Sequence, residues 1–276
     1  ITDPESGCFH KGEKEKCFAY THQVFCDKNG FVLAKTTTPG NVHDSVAFFE
    51  AYNTLNKKFK DQIKNVCLDA GYVNPAICRE IILNGHTPLM PYKRPMTSKE
   101  FFKKYEYAYD EYYDCYICPN NEVLSYSTTD KNGYKQYKSN PDKCANCPLK
   151  DRCTKSKNHQ KIILRHIWEE YKEQANENRY TQNWKDNYPK RKETIERVFG
   201  DCKEQHNLRF TRVRGLLKNE QNTTLIFACH NLKKMANWRW KKPSNQPLIM
   251  STFIKISKLF KKRGIFLFEH ASLSTI

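Results

Sequence analysis

The sequence predicts a mixed α/β sheet protein interrupted by a cysteine-rich insertion, and three observations carry that reading. Apolar runs of strand length alternate with amphipathic helical stretches up to Tyr92. Between Lys93 and about Leu164 the alternation gives way to Tyr, Lys, Asn and Cys with turn signals and few long apolar faces. From Ile167 to Trp240 the pattern is helical again. The order of the first part is hairpin, helix, strand, helix, strand, which a mixed sheet with packed helices accommodates.

Taken in order, Cys17 to Asp27 reads CFAYTHQVFCD, an aromatic-rich run suited to a strand. Asp27-Lys28-Asn29-Gly30 supplies a tight turn, since Asn-Gly tolerates positive φ, and Phe31 to Thr37 returns as the second strand. After Pro39-Gly40, Asp44 or Ser45 caps a helix whose apolar stripe is Val46, Phe49 and Tyr52, joined by Phe48 and Leu55. Ile63 to Leu68 forms a short buried strand that runs into Asp69-Ala70-Gly71-Tyr72. Asn74-Pro75 opens another helix with cap and first-turn proline, Gly85 ends it, and His86 to Tyr92 forms one more strand. The domains expected are thus 1–93, first part of the core; 94–165, the insertion; 166–240, the C-terminal helices; and 241–276, a basic amphipathic tail.

Forty-seven Lys and Arg against thirty Asp and Glu leave a net charge of +17 in 276 residues. That excess favours a polyanionic partner such as DNA, because each neutralised phosphate releases condensed counterions; a basic protein without such a partner is the alternative. No run of about eighteen apolar residues is present, which argues against a membrane span. Twelve cysteines without a signal peptide fit a reducing, cytoplasmic setting, where paired cysteines hold metals more often than disulfides. The chain opens on Ile1 without an initiator Met, from which a fragment of a longer chain is expected.

Cys115 and Cys118 form one Cys-x-x-Cys knuckle, Cys144 and Cys147 a second, and Cys153 follows. Two knuckles can close a tetrahedral Zn²⁺ site, structural because no position stays open for water, and five cysteines compete for its four places. Such a metal would give folding energy to a segment poor in apolar residues. Asp69, at a strand end before Gly71, is either a rigidly placed metal ligand or a cap on the following turn. Glu196 lies in a helix whose buried stripe is Ile195, Val198, Phe199 and Cys202, with Lys192 and Lys203 along the same edge. There it either binds a metal while the lysines meet phosphates, or forms an ordinary ion pair with Lys192.

Asp69-Ala70-Gly71-Tyr72 resembles the second-aspartate motif of DDE transposases from bacterial insertion sequences. Tyr188, Arg191, Glu196 and Lys203 resemble their C-terminal signature of a Tyr, an Arg, the catalytic Glu and a Lys, although Lys192 occupies the place where the Arg more commonly stands. Gly40-Asn41-Val42-His43-Asp44-Ser45, the cysteine knuckles, Arg212-Val213-Arg214-Gly215-Leu216 and His230-Asn231-Leu232-Lys233-Lys234 also look like segments of this family, so the resemblance spans Thr2 to Trp240.

The resemblance implies an RNase H-like fold, a five-stranded mixed sheet with helices on both faces. Residues 17–37 would be strands two and three, Ile63–Leu68 strand four and His86–Tyr92 strand five. Strand one, with the first catalytic aspartate, is expected upstream of Ile1, so the fragment is expected to be incomplete and inactive; Asp3 receives no catalytic role. The activity implied is DNA strand cleavage and strand transfer with Mg²⁺ (or Mn²⁺) held by Asp69 and Glu196. DNA, as transposon ends and target, would be held by Lys203, Arg191 or Lys192, Tyr188, Arg212 and Arg214. A homo-oligomer is a further expectation, and His43 could face the site. The competing readings are a metal-dependent nuclease of the same fold, a non-catalytic zinc-stabilised DNA-binding protein, and a remnant that no longer folds.

Overall fold

The computed structural model describes residues 3–11, 15–94 and 96–240, and the expected tail at 241–276 lies outside them. The chain opens on β1 (Gly7–Lys11), β2 (Glu15–Cys26) and β3 (Val32–Pro39). Asp27 builds the β2–β3 turn by accepting N–H bonds from Asn29 at 2.9 Å and Phe31 at 2.8 Å, and Gly30 supplies the positive φ of 78°. β3 pairs antiparallel with the Tyr20–Cys26 part of β2, and β1 with the part before it. A Cβ on Gly7 would fall 2.6 Å from the Gly40 nitrogen, so β1 and β3 abut end to end along one edge of β2. Along its other edge, from Tyr20 to Phe25, no strand pairs with β2 among the described residues.

α1 (Asp44–Phe59) lies against this sheet. Its cap is His43, whose Nδ1 accepts from the Ser45 N–H at 3.2 Å, and not Asp44 or Ser45 as expected. An imidazole nitrogen can do the work of a capping oxygen, and Asp44 is thereby released to accept from Gln23 Nε2 at 2.8 Å. The buried stripe is Ala47, Phe48, Ala51, Tyr52 and Leu55, while Val46, expected inside, is 65% exposed. Phe48 and Tyr52 stack at 5.1 Å, one helical turn apart, and set the rotation of the helix.

β4 (Asn65–Cys67), α2 (Pro75–Leu83) and β5 (Thr87–Leu89) follow. Asn74 caps α2 through the Ala76 N–H at 2.9 Å with Pro75 in its first turn, and Gly85 at φ 81° ends it, as the sequence predicts. β4 and β5 pair in parallel and with no other strand among the described residues. β1–β3 and β4–β5 form two separate sheets over one core of Phe48, Tyr52, Leu68, Ile77 and Ile81. The architecture is mixed α/β, but the β2–β4 junction is open.

The insertion folds as an antiparallel sheet of β6 (Ala108–Asp110), β7 (Cys115–Ile117), β8 (Val123–Thr129) and β9 (Tyr134–Lys138). After two short helices, α3 (Pro141–Ala145) and α4 (Lys150–Cys153), β10 (Ile162–His166) completes the order β10-β9-β8-β7-β6. It has its own core of Phe102, Tyr107, Tyr116, Leu124, Tyr137 and Ile163. The expectation that this segment is too polar to pack is corrected: tyrosine rings supply the apolar surface while their hydroxyls find partners. Asp114, at φ 45°, accepts from Tyr137 at 2.6 Å and Tyr109 at 2.8 Å and meets Lys135 at 3.0 Å.

α5 (Glu169–Glu177), α6 (Gln182–Asn187), α7 (Lys190–Gln205) and α8 (Leu216–Trp240) close the chain. Val198 and Cys202 of α7 are buried with Ile226 and Phe227 of α8. Asn231 binds both the N–H and the C=O of Val32 at 2.8 Å, fixing α8 to β3. By its contacts the chain divides into one unit through Asn231 and a second from Leu232, whose described part is the end of α8 with Leu232 and Trp238 exposed.

Candidate active site

The opening between β2 and β4 is a cavity of about 880 Å³. β2 contributes His22 to Cys26, β4 and its flanks contribute Ile63 to Asp69, and α7 contributes Lys190, Arg191, Thr194, Ile195, Glu196, Phe199 and Lys203. The expected buried stripe of α7 is thus divided. Val198 and Cys202 enter the core with α8, whereas Ile195 and Phe199 are only partly buried and face the opening.

Asp69 and Glu196, distant in sequence, line this one cavity, and both are exposed to it. Asp69 combines its two expected readings. One carboxylate oxygen accepts from the Gly71 N–H at 3.0 Å and caps the turn at Ala70–Tyr72, which leaves the other oxygen for a ligand. Tyr72, at the end of that turn, donates to Gln23 on β2, and Gln23 donates to Asp44 of α1. Burial raises the Tyr72 hydroxyl well above the usual tyrosine range, and the nearby Asp44 and Asp69 carboxylates add to it. This Asp69–Tyr72–Gln23–Asp44 arrangement is not apparent in the sequence, because a hydrogen bond between two strands' neighbours leaves no periodic signal.

Tyr188 stacks on Trp184 at 4.7 Å with planes 10° apart, a helical i, i+4 pair that the spacing could have shown. The Arg191 guanidinium lies 5.8 Å from the Tyr188 ring centre. Burial raises the Tyr188 hydroxyl, Arg191 opposes that rise, and Asp69 and Cys67 add to it. Burial raises the Cys67 thiol, and Arg191 again opposes. Arg191 therefore reaches into the carboxylate end of the cavity, whereas Lys192 is exposed and does not line it. Lys192 stands one helical turn before Glu196 on α7, yet the cavity is lined by Lys190, Arg191 and Lys203. Arg212 and Arg214 lie exposed in the loop between α7 and α8. His43 is spent on the α1 cap and does not line the cavity.

The cysteines do not gather as expected. Among the described residues no three His, Cys, Asp or Glu side chains stand close enough to hold one metal ion. Cys115 is buried on β7 near Asp110 and Asp114, and burial raises its thiol. Cys118 accepts the Glu122 N–H at 3.4 Å, and the Cys153 sulfur lies 3.2 Å from the Tyr107 hydroxyl. Cys118 and Cys153 pack on the tyrosine core while Cys144 and Cys147 stand in and after α3. Cys118 and Cys144 are near enough to Cys153 to help raise its thiol, but no three of the five stand close enough to hold one ion, so this arrangement does not fit a closed zinc site.

Residues 117–236 match the model of a family described as Transposase DDE domain. Over that stretch the chain is similar to DDE transposase domains. The match takes in Glu196, Lys203, Arg212 and Arg214 and stops short of Asp69 and Cys115. No curated protein matches the chain, and no solved structure does. Among the described residues no helix is long and apolar enough to cross a membrane.

Proposed function

We propose that this domain cleaves and joins DNA strands with divalent metal, using Asp69 and Glu196 as two carboxylates of one site. The observation that supports it is their shared cavity, walled by Lys190, Arg191 and Lys203. Hard carboxylate oxygens at a strand end and on a helix suit Mg²⁺ or Mn²⁺. When bound, a pair of such ions would activate a water or 3′-hydroxyl and stabilise the leaving oxygen. Asp69 is held for that task by the Gly71 N–H, which fixes its orientation before any ligand arrives. Arg191 and Lys203 grip phosphate oxygens and set the DNA register without reading its sequence. Tyr188, clamped against Trp184, keeps the Arg191 guanidinium turned inward. The tyrosine-cored insertion has no step in this chemistry.

Two carboxylates are one short of the expected three. A strand in the slot would pair with the open edge of β2 on one side and of β4 on the other. It would join the two sheets into one five-stranded RNase H-like sheet and bring a third acid beside Asp69. The test is nicking of supercoiled DNA in Mg²⁺ or Mn²⁺ by the chain, with and without any in-frame residues encoded ahead of Ile1. Asp69→Asn and Glu196→Gln should each slow cleavage by more than about a hundredfold while DNA binding persists. Cleavage at the parent rate in either variant overturns the proposal, and cleavage without strand joining favours a nuclease.

A further inference from the structure

Two segments that stand out in the sequence have no part in the site: Asp3-Pro4-Glu5, and the loop Arg212 to Leu216. The fold brings them together. Asp3 Oδ2 accepts from the Gly215 N–H at 3.0 Å and from the Tyr20 hydroxyl at 3.0 Å. Asp3 Oδ1 accepts from the Glu5 N–H at 3.3 Å, and the Asp3 carbonyl accepts from the Ser6 hydroxyl at 2.7 Å. Glu5 Oε2 accepts from the Leu216 N–H at 2.5 Å. Gly215 and Leu216 open α8, where backbone N–H groups lack helical partners and where negative charge is favoured. The Asp3 carboxyl is held below the usual range, first by the Gly215 N–H, with Tyr20, Glu5 and Arg214 acting in the same direction.

Gly215 sits at φ 88°, where a side chain would be strained, and a Cβ there would come 3.2 Å from Glu5 Oε2. The acidic pair thus meets backbone N–H groups, and the neighbouring Arg212 and Arg214 side chains remain exposed. Tyr20 ties the clamp to β2. Three residues further along that strand, roughly 10 Å at strand rise, Gln23 receives the hydroxyl of Tyr72 from the Asp69 turn. The two arginines are carried on a loop anchored to the same stretch of β2 as the carboxylate site.

We propose that Asp3 and Glu5 are positioning residues that lock the Arg212–Gly215 loop so that Arg212 and Arg214 contact the DNA backbone beside Asp69. This rests on the DNA-processing reading above. A plain helix cap would affect stability alone; a positioning pair also changes how many phosphates the protein neutralises.

Duplex-DNA binding by fluorescence anisotropy over a series of salt concentrations separates the two. Replacing both arginines, Arg212→Gln with Arg214→Gln, should lower the slope of log affinity against log salt by roughly 2, at about 0.9 per phosphate contact. Asp3→Ala should lower it by roughly 1 to 2 and add nothing to the double arginine change. Asp3→Asn, which keeps an acceptor for Gly215, should retain most of the parent slope. A parent slope in Asp3→Ala, or a loss that adds to that of the arginines, overturns the proposal. If Asp3→Ala does not fold, Glu5→Ala, which removes the acceptor of the Leu216 N–H, carries the same comparison. A parent chain with no affinity for DNA overturns the DNA reading itself; a parent that binds, with variants that bind alike, overturns only the clamp.

Discussion

Asp69 is a residue whose two readings, turn cap and metal ligand, prove compatible, because a carboxylate has an oxygen for each. Its place at a strand end was legible from Ile63–Leu68 and Gly71, and that of Glu196 from the stripe of α7. What helical projection could not decide was Arg191 against Lys192, since that depends on where the neighbouring β4 lies. His22 was legible only as a strand residue, yet it carries the clearest pH signature. It is partly buried, beside Thr37 at 3.1 Å, and burial and then the Lys35 charge lower its pKa from 6.5 to about 4. The unfolded chain therefore binds more protons between these values. The His22 contribution to stability is complete above pH 6.5 and is lost as pH falls through about 4, on the order of 3 kcal/mol in all. Urea unfolding at pH 7 and pH 5 should show the parent weaker at pH 5, with the difference reduced in His22→Gln. Equal pH dependence in the two would contradict this environment for His22.

At the scale of elements, turns and caps were the most legible features. Asp27-Lys28-Asn29-Gly30, Asn74-Pro75 and Gly85 are where the sequence places them, since each acts on chain only a few residues away, whereas the cap of α1 falls to His43. The insertion was least legible. Apolar periodicity counts tyrosine as half polar, whereas Tyr137, with 0% exposure, packs its ring among Tyr109, Tyr116 and Tyr126 and donates its hydroxyl to Asp114. The cysteine spacing suggested a metal for a segment that instead has this ring cluster as its core. Tyr137→Ala should cost roughly 3–5 kcal/mol, the range for removing a large buried ring. Tyr137→Phe, which keeps the ring and leaves Asp114 without one donor, should cost about 1–3 kcal/mol. Thermal unfolding followed by near-ultraviolet circular dichroism, sensitive to these tyrosines, would order the two variants; a larger loss in Tyr137→Phe would show that the hydroxyl network, and not the ring packing, holds the sheet.

At the scale of the molecule, α/β class and element order followed from the sequence, and a gap between the two strand pairs followed only from the resemblance, because strand pairing is a long-range choice that single-segment patterns do not encode. The β2 and β4 edges left open toward one cavity put Asp69 and Glu196 on its walls. A strand between them should raise stability as well as complete the site, since it would pair backbone groups along both edges. If these two carboxylates serve one metal site, the bound metal can be located on the chain itself. Fe²⁺ with ascorbate and peroxide cuts a polypeptide next to the bound ion. The account predicts two cuts, one at Asp69 and one at Glu196, both suppressed by excess Mg²⁺ and both lost together in Asp69→Asn. Cutting at only one of these positions, or a Glu196 cut that survives Asp69→Asn, would contradict it.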